Sequence, residues 1–136
     1  ARSKIDPAIL WDLLGAEHVT LLSRHDPAYP ERLRQISGAP PWLYARGDIE
    51  RMSDNRTVAI VGTRKATPYD GRVTEHISRD LALAGVTIVS GLALGIDGIA
   101  HSAAIEQTGG RTTGALACGV ERGNIYPASH HGLAGF

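Results

Sequence analysis

An aspartate and a histidine, Asp97 and His101, stand four residues apart in the stretch SGLALGIDGIAH, which begins at Ser90. This spacing places two side chains side by side on a helix, so a hydrogen bond between them could orient a base or simply close the turn. No serine or cysteine is placed to form a nucleophile elbow, because Ser90 precedes its glycine and does not stand inside G-x-S-x-G. We therefore favour binding over catalysis for this stretch and predict no catalytic residue. Asp97 is expected to act as a cap for the backbone N–H groups at the start of a helix.

The same stretch is also suited to surround an anion. Gly91, Ala93 and Gly95 keep large side chains out of the space beyond the preceding apolar run. The two glycines lie four positions apart, unlike those of the dinucleotide fingerprint G-x-G-x-x-G, and the stretch lacks the lysine of a Walker loop. The stretch thus matches neither of the two common phosphate-binding motifs, but its small residues leave a cavity above the predicted sheet.

A more basic stretch, GTRKATPYDG, follows an earlier apolar run and starts at Gly62. A glycine lets backbone N–H groups approach an anion, and the N-terminus of a following helix adds partial positive charge. Arg64 could donate a forked pair of hydrogen bonds to a phosphate, with Lys65 beside it. The alternative is a solvated loop in which Gly62 only turns the chain, and the loop taken alone leaves both interpretations open.

Three short apolar runs are predicted to be buried parallel strands: TVAIVG, VTIVSG and TTGALACG. Between them, helical spacing predicts helices over 67–84 and 97–107. The first helix is expected to bury one apolar face, which consists of Val73, Ile77, Leu81 and Ala84. This order of elements indicates an α/β fold, a Rossmann-like parallel sheet with helices on both faces. Ligands of such sheets bind beyond the carboxyl ends of the strands, where Gly62, Gly91 and Gly119 stand.

The part before the first of these strands is mixed. A helix is predicted over 7–14, capped by Asp6 and ended by Gly15. VTLLSR and PPWLYARG are predicted to be extended. We therefore expect a small N-terminal helical and extended segment, 1–25, ahead of a Rossmann-like domain over 26–136.

Composition narrows the possible functions. The 136 residues carry 14 basic and 14 acidic side chains, so the net charge gives no argument for a nucleic-acid partner. Cys118 is the only cysteine, which excludes an internal disulfide and a Cys-based zinc site, and its apolar surroundings predict burial. The adjacent His130 and His131 are expected to be solvated, so we predict no metal and no cofactor. Since no apolar run reaches membrane length and no secretory signal is present, a cytoplasmic location is the default expectation.

Four stretches of the chain resemble the DprA/Smf family, the bacterial DNA-processing proteins of natural transformation. They are YPERLRQISGAPPWLYARGD, VAIVGTRKATPYDG, VTIVSGLALGIDGIAHSAAIEQTGG and CGVERGNIYP, in family order and spacing from about residue 26 to residue 127. The combination of VGTR with SGLALGID..AH and a later YP is specific to this family.

The resemblance implies a protein that binds single-stranded DNA, protects incoming strands and helps to load RecA onto them, with no catalytic centre and no membrane partner. It also implies that the domain continues beyond residue 136, in a part that carries much of the homodimer surface and of the RecA contact. Carried over by position, the DNA phosphates would meet residues of three loops: Gly62, Thr63, Arg64, Lys65, Gly91, Ala93, Gly95, Ile96 and Gly119. Asp97 and His101 would hold the second of these loops in shape.

Two other functions compete with this one. A related group of nucleotide-binding Rossmann-type enzymes or sensors includes the phosphoribohydrolases, whose P-G-G-x-G-T-x-x-E stretch supplies a catalytic glutamate and does not occur here. The third alternative is a structural fragment that binds nothing strongly, because its sheet is incomplete. A titration of single-stranded oligonucleotide against free mononucleotide, at two salt concentrations, would separate the three.

Overall fold

The computed structural model describes residues 6–134, and the chain divides into two compact units between Ser53 and Asp54. The first unit contains α1 (Pro7–Ala16), β1 (Val19–Ser23), α2 (Glu31–Arg34), β2 (Trp42–Arg46) and a 3-10 turn, Ile49–Ser53. The second unit contains β3 (Thr57–Ala59), α3 (Pro68–Leu83), β4 (Thr87–Ser90), α4 (Ile96–Ile105) and β5 (Thr112–Gly114). Two further 3-10 turns, Arg122–Asn124 and Ala128–His130, follow β5.

The first unit is built around an antiparallel pair of strands. β1 pairs with β2, and the buried residues Leu22, Tyr29 and Ala45 form the core beneath them. The sequence analysis placed a boundary between residues 25 and 26, which would separate the two paired strands. The observed division after Ser53 keeps this strand pair and its core in one unit.

Helix α1 begins as predicted but ends later. The Asp6 carboxylate accepts a hydrogen bond from the Ala8 N–H at 2.9 Å, which caps the helix. The helix does not stop at Gly15 but continues to Ala16, and the chain then turns at His18, whose φ is +53°. Gly15 is therefore the second-last residue of the helix and does not end it.

The second unit contains a parallel three-stranded sheet in the order β3–β4–β5. Ile88, on the central strand, is fully buried. It packs against Ala82 of α3 and Ala100 of α4, so the core lies between the sheet and the two helices. Parallel strands joined through helices confirm the predicted fold class, a Rossmann-like α/β sheet.

The position of the helices differs from the prediction in one respect. α3 packs against α4, so both helices cover the same face of the sheet, whereas helices on both faces were expected. Each helix that connects two parallel strands makes a right-handed crossover. When the strands lie in the sheet in the same order as in the sequence, all of these crossover helices lie on one face of the sheet. A helix on the other face requires a reversal of the strand order, and no such reversal occurs within residues 6–134.

The buried face of α3 is also not the predicted one. Its buried side chains are small and recur at every fourth position: Thr74, Ser78 and Ala82. Of the residues predicted to be buried, Leu81 packs partly against the core, but Val73 and Ile77 are 38% and 47% exposed. Because α3 faces another helix as well as the sheet, small residues at the contact let the two helices approach, and this requirement outweighs the burial of larger side chains.

The outer strands are shorter than predicted. β3 lies at an edge of the sheet, and its Val58 is 38% exposed. β5 ends at Gly114, so Gly119 does not terminate it. Cys118 lies beyond the strand and is exposed, so the predicted burial of this thiol is wrong. The apolar residues 115–118, ALAC, belong to the loop that follows β5.

Candidate anion-binding site

The loop after β3, residues 60–67 and here called the first loop, is open. The backbone N–H groups of Gly62, Thr63 and Arg64 find no acceptor among the described residues. Over the same part of the chain, the side chains of Arg64 and Lys65 make no hydrogen bond or ion pair. The Thr63 hydroxyl shapes the loop by accepting from the Lys65 N–H at 3.1 Å. The first loop therefore presents N–H donors and two cations that have no partner within residues 6–134.

The acidic residue beside the first loop is held away from these cations. One carboxylate oxygen of Asp70 accepts from the Thr67 N–H at 2.9 Å and from the Thr67 hydroxyl at 2.8 Å. These hydrogen bonds lower the pKa of Asp70, the bond from the backbone N–H most strongly. The Thr67 hydroxyl in turn accepts from the Asp70 N–H, which completes a capping box at the start of α3. Asp70 thus fixes the end of the loop and does not neutralise Arg64.

The first loop rests on the loop after β4, residues 91–95, here called the second loop. A β-carbon on Gly62 would lie 2.7 Å from Cγ1 of Ile96, and one on Gly95 would overlap the carbonyl oxygen of Thr63. Gly95 also has a φ of +77°, which favours glycine. The Ile96 N–H donates to the Thr63 carbonyl at 3.2 Å. Ile96 itself is buried, so it supports the first loop from behind.

The second loop is closed by its own contacts. Oδ2 of Asp97 accepts from the Gly91 N–H at 3.0 Å. Asp97 lies inside α4, and Gly95 is the residue that precedes the helix, so the prediction that Asp97 caps the helix N-terminus is wrong. Its carboxylate reaches back across the loop because Gly91 leaves the space that a side chain would fill. The Ala93 carbonyl accepts from the Gly98 N–H at 3.0 Å, so much of this loop is engaged internally.

His101 is a structural residue in the core. It is 1% exposed, and its Nδ1 contacts the hydroxyl of Thr112. The Thr112 hydroxyl donates to the Ile88 carbonyl at 3.0 Å, so its oxygen accepts the proton of His101 Nδ1. Burial lowers the pKa of His101, against smaller opposing effects of Ser90 and Asp97. The sequence left open a hydrogen bond between Asp97 and His101, but each of them has a different partner.

His130 joins this site from the end of the described chain and was missed by the sequence analysis. Its Nδ1 lies 2.8 Å from the Leu92 carbonyl oxygen, and its ring fills the space beside Gly98, where a β-carbon would lie 2.7 Å from Nε2. His131 likewise places Nε2 3.2 Å from the carbonyl of Ile125. Both histidines are half-buried and each contacts a backbone carbonyl, so they are less exposed to solvent than predicted. A glycine inside the α4 sequence was the available signal that another group packs there.

Not every predicted site residue lies at the same surface. Arg64, Lys65 and Gly95 line a concave groove of about 590 Å³, together with residues of α3, α4 and His130. Ile96 lies behind the first loop, in contact with Gly62, and the Gly91 N–H is already taken by Asp97. The third loop, residues 115–121, contains Gly119, beside which the Glu121 carboxylate lies.

Residues 6–134 contain neither a cluster of metal ligands nor a membrane-spanning helix. No group of three histidine, cysteine, aspartate or glutamate residues in this part of the chain is arranged to hold a metal ion. None of its helices is both long enough and apolar enough to cross a membrane.

A Rossmann-like α/β domain with a glycine-lined, basic first loop is the class of protein that these features define. Comparison with known proteins is more specific. The family model for DNA recombination-mediator protein A matches residues 20–135. The chain therefore belongs to the DNA recombination-mediator protein A family, the DprA/Smf proteins.

Individual relatives agree with this assignment. The chain is 42% identical to DNA processing protein DprA of Bacillus subtilis over 106 residues, which cover 78% of this chain and 35% of that protein. It is 38% identical to protein Smf of Synechocystis over 135 residues, which cover 97% of this chain and 33% of that protein. The chain thus spans about a third of the length of these relatives.

Solved structures show the same fold. An X-ray structure of DNA processing protein A from Streptococcus pneumoniae superposes with a TM-score of 0.78 at 30% identity, over 97% of this chain and 44% of that one. A structure of DNA processing protein A from Helicobacter pylori, described for its single-stranded DNA binding mode, superposes with a TM-score of 0.71 at 33% identity. That match covers 85% of this chain and 49% of the Helicobacter chain.

Proposed function

We propose that this chain is a single-stranded DNA-binding part of a DNA-processing protein and that its first loop binds the phosphates. Arg64 and Lys65 supply the charge, and the N–H groups of Gly62 and Thr63 supply hydrogen bonds. Of the remaining predicted site residues, Gly95 lines the groove and Ile96 supports the first loop from behind. Gly91, Ala93 and Gly119 remain proposed contacts of the strand. Asp97 and His101 keep the second loop in shape.

The observation that carries this proposal is the set of unused donors in the first loop. Three successive N–H groups and two cations lack an acceptor among the described residues, although acidic side chains stand nearby. Backbone N–H groups together with a forked guanidinium are suited to phosphate oxygens. The description of the Helicobacter relative as a single-stranded DNA-binding protein supports the same ligand.

The proposal assigns no catalytic role to this chain. Asp97 and His101 are both buried, and each is bonded to another group of the scaffold, which leaves neither exposed to act as a base on DNA. The family match favours DNA binding over the alternative of a nucleotide-binding enzyme or sensor related to phosphoribohydrolases. We propose accordingly that the chain acts as a binding protein and not as an enzyme.

The family relationship extends the proposal to the whole protein. We propose that it protects incoming single strands during natural transformation, helps to load RecA onto them and acts as a homodimer. Co-purification of RecA with the full-length protein, and sedimentation of that protein alone, test these two partners separately. A monomer that retains no RecA would contradict this extension without affecting the assignment of the DNA contacts.

Anisotropy titrations with a labelled strand of roughly 20 nucleotides and with the matching duplex test the ligand. The single strand should bind more tightly, and its affinity should fall between about 50 and 200 mM salt as counterions are released. Equal affinity for strand and duplex at matched salt would contradict the proposal. A free mononucleotide that binds more tightly than the strand would favour the enzyme or sensor alternative.

The Arg64→Ala variant tests the site within the same titration. Loss of a charge-assisted contact should weaken binding of the strand by about ten- to a hundredfold, or ~1.5–3 kcal/mol. Arg64→Lys keeps the charge but loses the fork, so it should recover part of the affinity. Arg72→Ala, an exposed arginine on α3 outside the groove, is the matched control and should change affinity little. Unchanged affinity in a folded Arg64→Ala protein would remove Arg64 from the site.

A further inference from the structure

The groove beside the first loop carries opposite charges in different places. Arg64 and Lys65 line it next to the N-terminus of α4, and Glu106 lines it at the C-terminal end of the same helix. Glu106 lies eight positions after Gly98, which corresponds to about 12 Å along a helix. Glu75 of α3 adds a second carboxylate to the groove. The groove is therefore positively charged beside the first loop and negatively charged about two turns farther along α4.

These four charged side chains do not neutralise one another. Within the described part of the chain, no hydrogen bond or ion pair joins the carboxylates of Glu75 and Glu106 to the cations or to any other side chain. An arginine and a carboxylate that lay in contact would form an ion pair, so the two kinds of charge are held apart. Each of them is thus open to a ligand that carries a negative group at one end and hydrogen-bond donors at the other.

The surface between the charges suits a flat ring. Ala103 offers little side-chain bulk, Ile99 offers an apolar surface, and Ser102 offers one hydroxyl. The His130 ring covers Gly98 and forms one side of the groove. The volume, about 590 Å³, lies within the range of about 300–1,000 Å³ that is usual for sites of small ligands. A phosphate, a sugar and a base, taken together, have both the length and the polarity of this groove.

We propose that the groove holds one nucleotide of the bound strand, with its phosphate at Arg64 and Lys65 and its base toward Glu75 and Glu106. Ionised carboxylates only accept hydrogen bonds, so they bind the exocyclic amino group of cytosine or adenine. Thymine has a carbonyl oxygen where cytosine has its amino group, and its single donor, N3–H, lies between two carbonyl oxygens that a carboxylate repels. The groove therefore favours amino-bearing bases over thymine. This inference rests on the proposed binding of single-stranded DNA and adds a base preference to it.

Equal-length oligodeoxycytidine and oligothymidine strands test the preference in anisotropy titrations at one salt concentration. Both are pyrimidine strands with the same backbone charge, so the ratio of their dissociation constants reports on the base. The cytidine strand should bind about five- to tenfold more tightly. Binding of both strands with equal affinity would overturn the base subsite but keep the proposed function. Failure of both strands to bind would contradict the proposed function itself.

Variants of the two glutamates assign the preference to the groove. Glu75→Gln combined with Glu106→Gln should bring the ratio close to one, because an amide offers both a donor and an acceptor. Loss of two negative charges should also tighten the binding of both strands, so the ratio and not the affinity is the relevant quantity. Asp80→Asn, at an exposed acidic residue of α3 outside the groove, should leave the ratio unchanged. A ratio that survives in the double variant would contradict the inference.

A competition experiment distinguishes a nucleotide that is part of a DNA strand from a free nucleotide. Free deoxycytidine monophosphate should displace a labelled cytidine strand only at much higher concentration than an unlabelled strand does, because the strand makes further phosphate contacts. Displacement at equal nucleotide concentration would show that the groove is a site for a free nucleotide and would overturn its placement on a DNA strand.

Discussion

The first and second loops occupy equivalent places, each between a parallel strand and the helix that follows it, yet they use their polar groups in opposite ways. In the first loop, the N–H groups of Gly62, Thr63 and Arg64 lack an acceptor among the described residues. In the second, the Gly91 N–H is bound by Asp97, and the Leu92 carbonyl faces His130. One loop keeps its donors for an external partner, and the other uses its polar groups to hold its own shape.

This contrast separates affinity from stability. Substitutions of Arg64 or Lys65 in the first loop should change the binding of an anion with little effect on the free energy of unfolding, because these exposed side chains make no hydrogen bond or ion pair within residues 6–134. Substitutions in the second loop should lower the free energy of unfolding, and they should change binding only as far as they displace the first loop, which rests on it.

The largest expected effect is that of Gly95→Ala. The new β-carbon would overlap the Thr63 carbonyl oxygen at a residue whose φ is +77°, so strain and overpacking should together cost about 3 kcal/mol or more. Urea unfolding measures this loss. Gly132→Ala, where a β-carbon meets open space, is the control. A Gly95→Ala protein as stable as this control would refute the claim that the two loops depend on a close contact.

Asp97→Ala should have the next largest effect. It leaves the Gly91 N–H without its acceptor in a partly buried place, which should cost about 1–3 kcal/mol of unfolding free energy. Asp97→Asn keeps an acceptor oxygen and should recover most of the stability. If Asp97→Asn is as unstable as Asp97→Ala, the negative charge matters more than the hydrogen bond, and the description of the closed loop must change.

Acidification should destabilise the second unit through His101. The folded state holds the pKa of this imidazole below its value of about 6.5 in an unfolded chain, so below that pH the unfolded state binds a proton that the folded state does not. Stability contributed by the neutral ring is therefore complete above about pH 6.5 and is lost as the pH falls toward the folded pKa, by at most about 1.4 kcal/mol per pH unit. The ring is faced by Asp97, His130 and Thr112.

Proton NMR of the His101 ring gives the direct measurement. Its C–H resonances should remain those of a neutral imidazole at about pH 6.5, where a free imidazole is half protonated. A His130→Gln variant tests the contribution of the neighbouring ring, which also lowers the pKa of His101. Titration of His101 at or above about pH 6.5 would contradict the burial argument.

The smallest effect concerns Cys118, in the third loop. Its thiol is exposed, so a thiol reagent should label the native protein almost as fast as the denatured one, with no loss of stability. Labelling kinetics by mass spectrometry, with and without urea, provide the check. Slow labelling of the native protein would mean that the third loop is closed like the second and would restore the burial that the sequence predicted.

The order of strands and helices, and the place of the loops at the carboxyl ends of the strands, follow from local sequence. The apolar runs indicate the strands, and Asp6 and Pro68 mark the starts of two helices. Both kinds of signal depend only on residues that are close in the sequence. The buried face of α3 could not be obtained in this way, because Thr74, Ser78 and Ala82 are buried by another helix and not by their own apolarity. The same holds for the candidate site: Gly62 and Arg64 are marked by local pattern, whereas the partners of Asp97 and His101 depend on the tertiary structure.

The ring of His130 lies where Gly98 has no side chain, so a residue near the end of the described chain completes the surface of α4. The order of the second loop is therefore coupled to the docking of the segment around Ala128–His130. When that segment opens, the Leu92 carbonyl loses its contact and the wall of the groove loses one of its sides. Ligand binding and local unfolding at this end of the unit are then linked equilibria: a ligand that needs the groove intact slows the exchange of amide hydrogens in the segment that carries His130.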